Sequence, residues 1–205
     1  MESLEKEQSV PMSEPPASVE DRIVLAAIDC VEKYGISGAT NRRIAFMANV
    51  NSAAINYYFR SKETLLRRCM EITLKNAFDL AEVPPMPGAS PEQRCLAVMQ
   101  DLVAGGFRYP GLTRAHFFDL LAEGKRDALL VKHVRRFVDD LAADLHGRGC
   151  ALPMEELKLA LSQIVSAVFL VILAPGLFAG QESGQPDDPA AWSNYLARLV
   201  NKLLV

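Results

Sequence analysis

Along most of this chain apolar residues return every three or four positions, and nowhere do they alternate with polar ones for the length of a strand. Ile23, Ala27, Cys30, Val31 and Tyr34 share one helical face, and Gly35 suits a C-terminal cap. This predicts a first helix over about 19–34. Thr40 is placed to cap a second helix, "NRRIAFMA", whose Ile44, Ala45 and Ala48 form its apolar side. Asn49 follows where the chain must turn, and Asn tolerates the left-handed conformation of a tight turn. A third short helix is expected over about 52–58. Ser61 is placed to cap a fourth that runs through Leu65, Leu66, Cys69, Ile72 and Thr73. The stretch "VPPMPGASP", residues 83–91, reads as a linker and a domain boundary. Beyond it five more helical patterns appear: Leu96 to Phe107, Leu112 to Ala122, Leu130 to Leu145, about 154–174, and about 189–204. The expected fold is all-α with about nine helices. A three-helix N-terminal bundle (about 19–66, its helix-turn-helix at about 39–58) joins a larger helical domain over 67–205.

The formal net charge of −3 points to no nucleic-acid partner, but it averages over opposite ends. Residues 1–19 carry Lys6 against Glu2, Glu5, Glu7 and Glu14. Being polar and Pro-rich, residues 1–18 read as a disordered tail. Residues 40–68 carry Arg42, Arg43, Arg60, Lys62, Arg67 and Arg68 against Glu63 alone. Local sign asymmetry of this kind is informative where total charge is not. The four cysteines form no CxxC pair and sit among apolar neighbours, which fits small buried hydrophobes in a reducing compartment. No secretory signal is evident, so a cytoplasmic location is expected. The apolar run 164–180 is at the short edge of a spanning helix and contains Pro175-Gly176. A central helix that also forms a subunit interface is the better reading, with no membrane partner.

The basic stretch coincides with the second and third helices, and a tight turn between two such helices describes a helix-turn-helix. Its second helix would lie in the major groove. Ile55 and Phe59, spaced i, i+4, suit the inner face. Asn51, Ser52 and Asn56 are left to bond bases or backbone, and Asn is geometrically fit to pair with adenine. Tyr57 and Tyr58 offer hydroxyls to phosphates. Lys62 stands at the first turn of the next helix, where free N–H groups already favour an anion. Arg42 and Arg43 add phosphate contacts, which position the protein while base contacts specify the sequence.

The stretch "TNRRIAFMANVNSAAINYYFRSKETLL", Thr40 to Leu66, closely resembles the DNA-binding signature of the tetracycline-repressor (TetR) family of bacterial transcription regulators. Thr40, Ile44, Ala45, Ala48, Val50, Tyr58, Phe59, Ser61, Lys62, Glu63 and Leu66 match its pattern. Asn49 replaces the turn glycine, Ala53 takes a position usually held by Gly, and Asn56 stands where Tyr is common. The resemblance covers roughly residues 20–66. It implies a homodimer on a palindromic double-stranded operator, with Thr40 and Ala53 also at the DNA surface. It further implies a four-helix dimer interface from the last two helices, and DNA release by a small molecule bound in the C-terminal domain. On that reading Val165, Phe169, Ile172, Trp192, Tyr195 and Leu199 would face the second subunit.

For the effector, a mainly apolar pocket is the default. Its candidates are Met99, Phe107, Phe117, Phe118, Phe137 and Phe169, with His116, His133 and Arg114 as polar handles. His116 and His133 lack a third ligand of convincing spacing, so no metal site and no cofactor are expected. An all-α enzyme would need a paired Glu-x-x-His, a phosphate loop or a supported nucleophile, and none is found. The remaining alternative is a helical receptor or interaction protein that has lost specific DNA binding. The cations of 40–68 argue against it, since phosphate neutralisation dominates affinity.

Overall fold

The computed structural model describes residues 18–122, 124–125, 127–177 and 192–204. The expected tail therefore lies outside the described residues but for Ser18, and so does the start of the last helix. Among the described residues all regular structure is helical: α1 (Val19–Gly38), α2 (Asn41–Met47), α3 (Ser52–Phe59), α4 (Lys62–Ala77), α5 (Pro91–Arg108), α6 (Pro110–Ala122), α7 (Leu129–Gly147), α8 (Met154–Leu173) and α9 (Ser193–Leu204), with a 3₁₀ turn at Pro175–Leu177. They fall into two compact units that divide between Ile72 and Thr73, inside α4.

The first unit is built on α1. Ser18 caps it by accepting the Asp21 N–H at 3.1 Å. Ile23, Ala27, Cys30 and Val31 are fully buried. At Gly35 the helix breaks, with φ +69°, a conformation a side chain would strain. Ala39 then bonds back to the Gly35 carbonyl at 3.1 Å, and α2 and α3 close the bundle with Ile44, Ala45, Ile55 and Phe59. Leu65 and Cys69 of α4 are also fully buried, and the Cys69 Sγ reaches the Val24 carbonyl at 3.6 Å.

In the second unit α5 packs on α7, α8 and α9, and α8 packs on α7 and α9. Its core is aliphatic: Leu74, Met99, Leu141, Leu145, Leu157, Leu161, Ile164 and Leu196 are the largest side chains sealed inside. Among the described residues α8 is the one helix long and apolar enough to cross a membrane, with mean hydropathy 1.9. Seven of its residues, Leu157, Ala160, Leu161, Ile164, Val165, Val168 and Val171, are spent on the core of this unit.

The breaker-rich segment at 83–91 is not where the units divide. It is packed within the second unit, and a buried arginine holds it there. Arg94 is only 4% exposed. Its Nε bonds the Asp144 carboxylate at 2.9 Å, and its other nitrogens donate to the carbonyls of Leu80, Val83 and Pro84 at 3.0–3.3 Å. Arg148 bonds the other Asp144 oxygen at 2.8 Å and the Met86 carbonyl at 3.0 Å. Each buried donor in this network therefore has a partner, the condition under which a buried charge is tolerated. Burial would raise the Asp144 carboxyl, but the hydrogen bonds and charges of Arg148 and Arg94 together hold it below the ordinary value.

Candidate nucleic-acid interface and effector site

The turn before α3 is made by Asn49 at φ +52°, closed by the Val50 N–H on the Ala45 carbonyl at 3.0 Å. Asn51 then caps α3, its Oδ1 accepting the Ala53 N–H at 2.9 Å. The side chain expected to read DNA thus spends its acceptor on the helix, and its amide nitrogen is what remains for a ligand. Along α3, Ile55 and Phe59 face inward, while Ser52, Ala53, Asn56, Tyr57 and Tyr58 are exposed. Tyr57, at 81% exposure, stands out furthest, and its ring meets that of Tyr58 edge-on with centroids 5.1 Å apart. One small-to-polar face of an eight-residue helix is therefore free, beside two phenol hydroxyls.

α3 ends at Arg60, whose φ of +64° is unusual for a residue with a side chain. Only this turn lets Ser61 begin the next helix so soon, its Oγ accepting the Thr64 N–H at 3.2 Å. Arg60 is exposed and was not among the expected contacts. Its position immediately after the recognition helix, in a basic stretch, was the available signal. Lys62 is half-buried at the start of α4. The neighbouring Glu63 carboxyl is held below its ordinary value by its own backbone N–H and then by the Ser61 hydroxyl. One free donor of this helix start is thus engaged by Glu63, and an approaching phosphate must rely more on the Lys62 charge.

On α2, Thr40 is exposed but its hydroxyl accepts the Arg43 N–H at 3.3 Å, so it acts as the helix cap. Arg42 is exposed. Arg43 departs from expectation. Its guanidinium turns back to α1, donating to the Gly38 carbonyl and lying 4.2 Å from the Tyr34 ring centroid. Arg42 and Arg43 are about 100° apart around the helix, so one can face outward while the other folds back.

In the second unit the expected effector residues separate. Met99 is sealed in the aliphatic core and Phe107 packs against it. Phe118 faces solvent and Arg114 is exposed, because α6 turns its next residue, Phe117, inward instead. The remaining residues form an aromatic chain through Phe78, which sequence reasoning missed: Phe137 to Phe78 at 5.2 Å, Phe78 to Phe169 at 6.3 Å, Phe169 to Phe117 at 5.1 Å. His116 adjoins it on α6. Its Nε2 lies 3.0 Å from Thr73 Oγ1, while its Nδ1 is buried without a hydrogen-bond partner among the described residues. Burial, and then the nearby His133, lower its pKa from 6.5 to about 4, so it is neutral at pH 7. A cleft of about 180 Å³ opens beside this chain, lined by Lys75, Phe78, His133, Phe137 and Asp140 among others. No cluster of three or more metal-binding side chains occurs among the described residues.

The expected dimer residues also divide. Val165 (2% exposed) and Trp192 (8%) are in the core of their own subunit. Phe169 belongs to the aromatic chain, and Ile172 packs against Gly106 of α5. Tyr195 is exposed and Leu199 half-buried. The outward face of α8 is instead Leu159, Ser162, Gln163, Ser166 and Leu170, one helical stripe, with Leu177 exposed beyond it. An apolar run on every side gives no phase, so hydropathy alone does not separate the inward face of α8 from the outward one. Lys158 and Ser162, short of the core positions, held the signal.

Residues 23–69 match the family model for bacterial regulatory proteins of the tetR family. Two curated relatives are similar over most of their length. An uncharacterized HTH-type transcriptional regulator in the dhlA 5′ region of Xanthobacter autotrophicus is 26% identical over 154 residues, 74% of this chain and 73% of its own. The HTH-type transcriptional regulator BetI of Cronobacter sakazakii is 27% identical over 171 residues, 80% of each chain. Among solved structures, a TetR transcription regulator from Haloarcula marismortui superposes with a TM-score of 0.68, covering 91% of this chain and 98% of that one at 15% identity, which speaks for the fold. The helix-turn-helix geometry, the exposed polar face of α3 and these likenesses agree: residues 23–69 are a DNA-binding domain of the tetR type, and the chain is similar over most of its length to HTH-type transcriptional regulators.

Proposed function

We propose that the protein binds a palindromic operator as a homodimer, represses from it, and is released by a largely apolar small molecule. The observation that carries the DNA reading is the free face of α3. Its inner side is fixed by Ile55 and Phe59, so Ser52, Ala53 and Asn56 are presented at a set height. Tyr57, Tyr58, Arg42, Arg60 and Lys62 surround it as phosphate contacts. A protein of this kind works beside the chromosome, hence in the cytoplasm.

The dimer would form on the outward stripe of α8 with Tyr195 of α9. Leu159 (61% exposed) and Leu170 (47%) are too apolar to be left in water along one helix face. Ser162 and Ser166 between them donate to carbonyls of their own helix at 2.8 and 2.7 Å, so their hydroxyls need nothing from a partner helix. A stripe of Leu and small satisfied Ser, with Gln163 able to bond across a two-fold axis, suits packing against the same stripe of a second subunit.

The effector site would be the aromatic chain of Phe78, Phe117, Phe137 and Phe169 with its adjoining cleft, and His116 as the polar group that orients a ligand. Thr73, bonded to His116, lies on α4, which is continuous from Lys62 to Ala77. A ligand that displaces this hydrogen bond has a helix through which to bias DNA affinity. Selection of bound fragments from a pool of random duplex DNA tests the reading. An enriched inverted repeat is expected, and a well-folded dimer that enriches nothing would refute specific binding by the free protein.

A further inference from the structure

The basic stretch invites the assumption that each of its cations neutralises phosphate. For Arg43 the structure opposes that assumption in three separate ways. Its guanidinium donates to the Gly38 carbonyl, the last residue of α1, and lies 4.2 Å from the centroid of the Tyr34 ring. Both are fitted to that arrangement. A Cβ at Gly38 would stand 2.6 Å from the Tyr34 Cβ and 3.4 Å from Arg43 Nη1, so only glycine lets the three groups meet. The charge also acts inward. The buried Cys30 thiol of α1, raised by burial, feels Arg43 as an opposing positive charge. We propose that Arg43 is a positioning residue, which clamps α2 to the end of α1 and thereby sets the attitude of the recognition helix, rather than a phosphate contact.

The joint it locks is short. Between the break at Gly35 and the cap of α2 run the Ala39 and Thr40 backbone bonds, to Gly35, Ile36 and Gly38, and the buried Ala39 side chain, while Ile44 and Ala45 pack α2 inward. α2 is seven residues long and is followed at once by the turn into α3, which packs against it. A tilt of α2 is therefore passed to α3. The Gly38 carbonyl at the helix end already accepts the Thr40 N–H at 2.9 Å, and its second lone pair suits a guanidinium that lies over a phenol ring. Arg42, the exposed neighbour on α2, is the one left to meet DNA.

The proposal rests on the DNA-binding reading, and its test separates the two. Binding is measured by fluorescence anisotropy on a random-sequence duplex and on the duplex the wild-type protein selects, at about 50 to 200 mM salt, where each neutralised phosphate contributes about 0.9 to the slope of log affinity against log salt. Arg43→Gln is expected to bind the selected duplex about tenfold more weakly with an unchanged slope, whereas Arg42→Ala lowers the slope by about 0.9. Tyr34→Phe, which keeps the ring, should bind as wild type. Tyr34→Ala should lose as much as Arg43→Gln, and the double variant no more than either, because the two side chains act as one unit. Far-UV circular dichroism checks that each variant is folded under the binding conditions. A slope reduced by about 0.9 in Arg43→Gln, or losses that multiply in the double variant, overturns the clamp. Should Arg43→Gln not fold, the contrast between Tyr34→Phe and Tyr34→Ala decides. If wild type binds no duplex, the DNA reading itself fails. The clamp is then judged from thermal unfolding of the same set, where additive losses overturn it.

Discussion

Acidification should weaken this protein through one side chain, and His116 allows the effect to be worked out. It is neutral in the folded state, with a pKa of about 4 against an ordinary 6.5. Its Nε2 is bonded to Thr73, its Nδ1 is buried without a partner among the described residues, and His133 nearby opposes a second positive charge. Between pH 6.5 and 4 the unfolded chain takes up a proton there that the folded chain does not. Stability must then rise with pH across that window and fall as pH drops through it. At 1.36 kcal/mol per pH unit the site accounts for roughly 3 kcal/mol over the whole window. The perturbation is His116→Gln, which keeps a hydrogen-bonding amide and takes up no proton. Urea unfolding of both proteins at pH 7.5, 6 and 5 gives the difference in stability at each pH, in which carboxylates common to both cancel. Wild type should lose ground to the variant by about 1.4 kcal/mol for each pH unit below about 6. A difference that stays level across the three pH values would refute the argument.

Other outcomes follow from the same geometry. Arg94→Ala leaves Asp144 with Arg148 alone and frees the carbonyls of Leu80, Val83 and Pro84, so a loss of about 3 kcal/mol, or roughly 6–12 °C in Tm, is expected by calorimetry. A change within about 0.5 kcal/mol would show the network to be ornamental. Leu170→Glu places a charge on the outward stripe of α8 and should turn dimer into monomer in sedimentation, with little change in helix content. An intact dimer would move the interface elsewhere. Lys62→Ala should weaken binding to all duplexes alike and reduce the salt slope by about 0.9, and an unaltered slope would remove Lys62 from the phosphate contacts.

What could be read from the sequence depended on how local its cause was. The inner pair Ile55 and Phe59 and the outward Asn56 follow from helical spacing alone, and the left-handed Asn49 from a requirement of the turn beside it. The fate of Arg43 depends on Tyr34, nine residues earlier and across a break in α1, and adjacent arginines carry no mark of which faces out. Arg94 reads as an interruption of an apolar face because its acceptors are carbonyls of 80–84 and a carboxylate fifty residues away. The segment 83–91 has the composition of a linker for the same reason: its backbone, not its side chains, is what Arg94 and Arg148 hold. On α8 the apolar residues surround the helix, so hydropathy announced burial without saying that Val165 faces the core and Leu159 does not.

The central claim is that the outer face of α3 reads bases. The most direct measurement is the affinity of wild type and Asn56→Ala for the selected duplex and for each of its single-base variants. If Asn56 bonds a base edge, the variant loses discrimination at one or two positions, by about 1–3 kcal/mol each, and keeps it elsewhere. A loss equal across every sequence would place Asn56 on the phosphates and contradict the account.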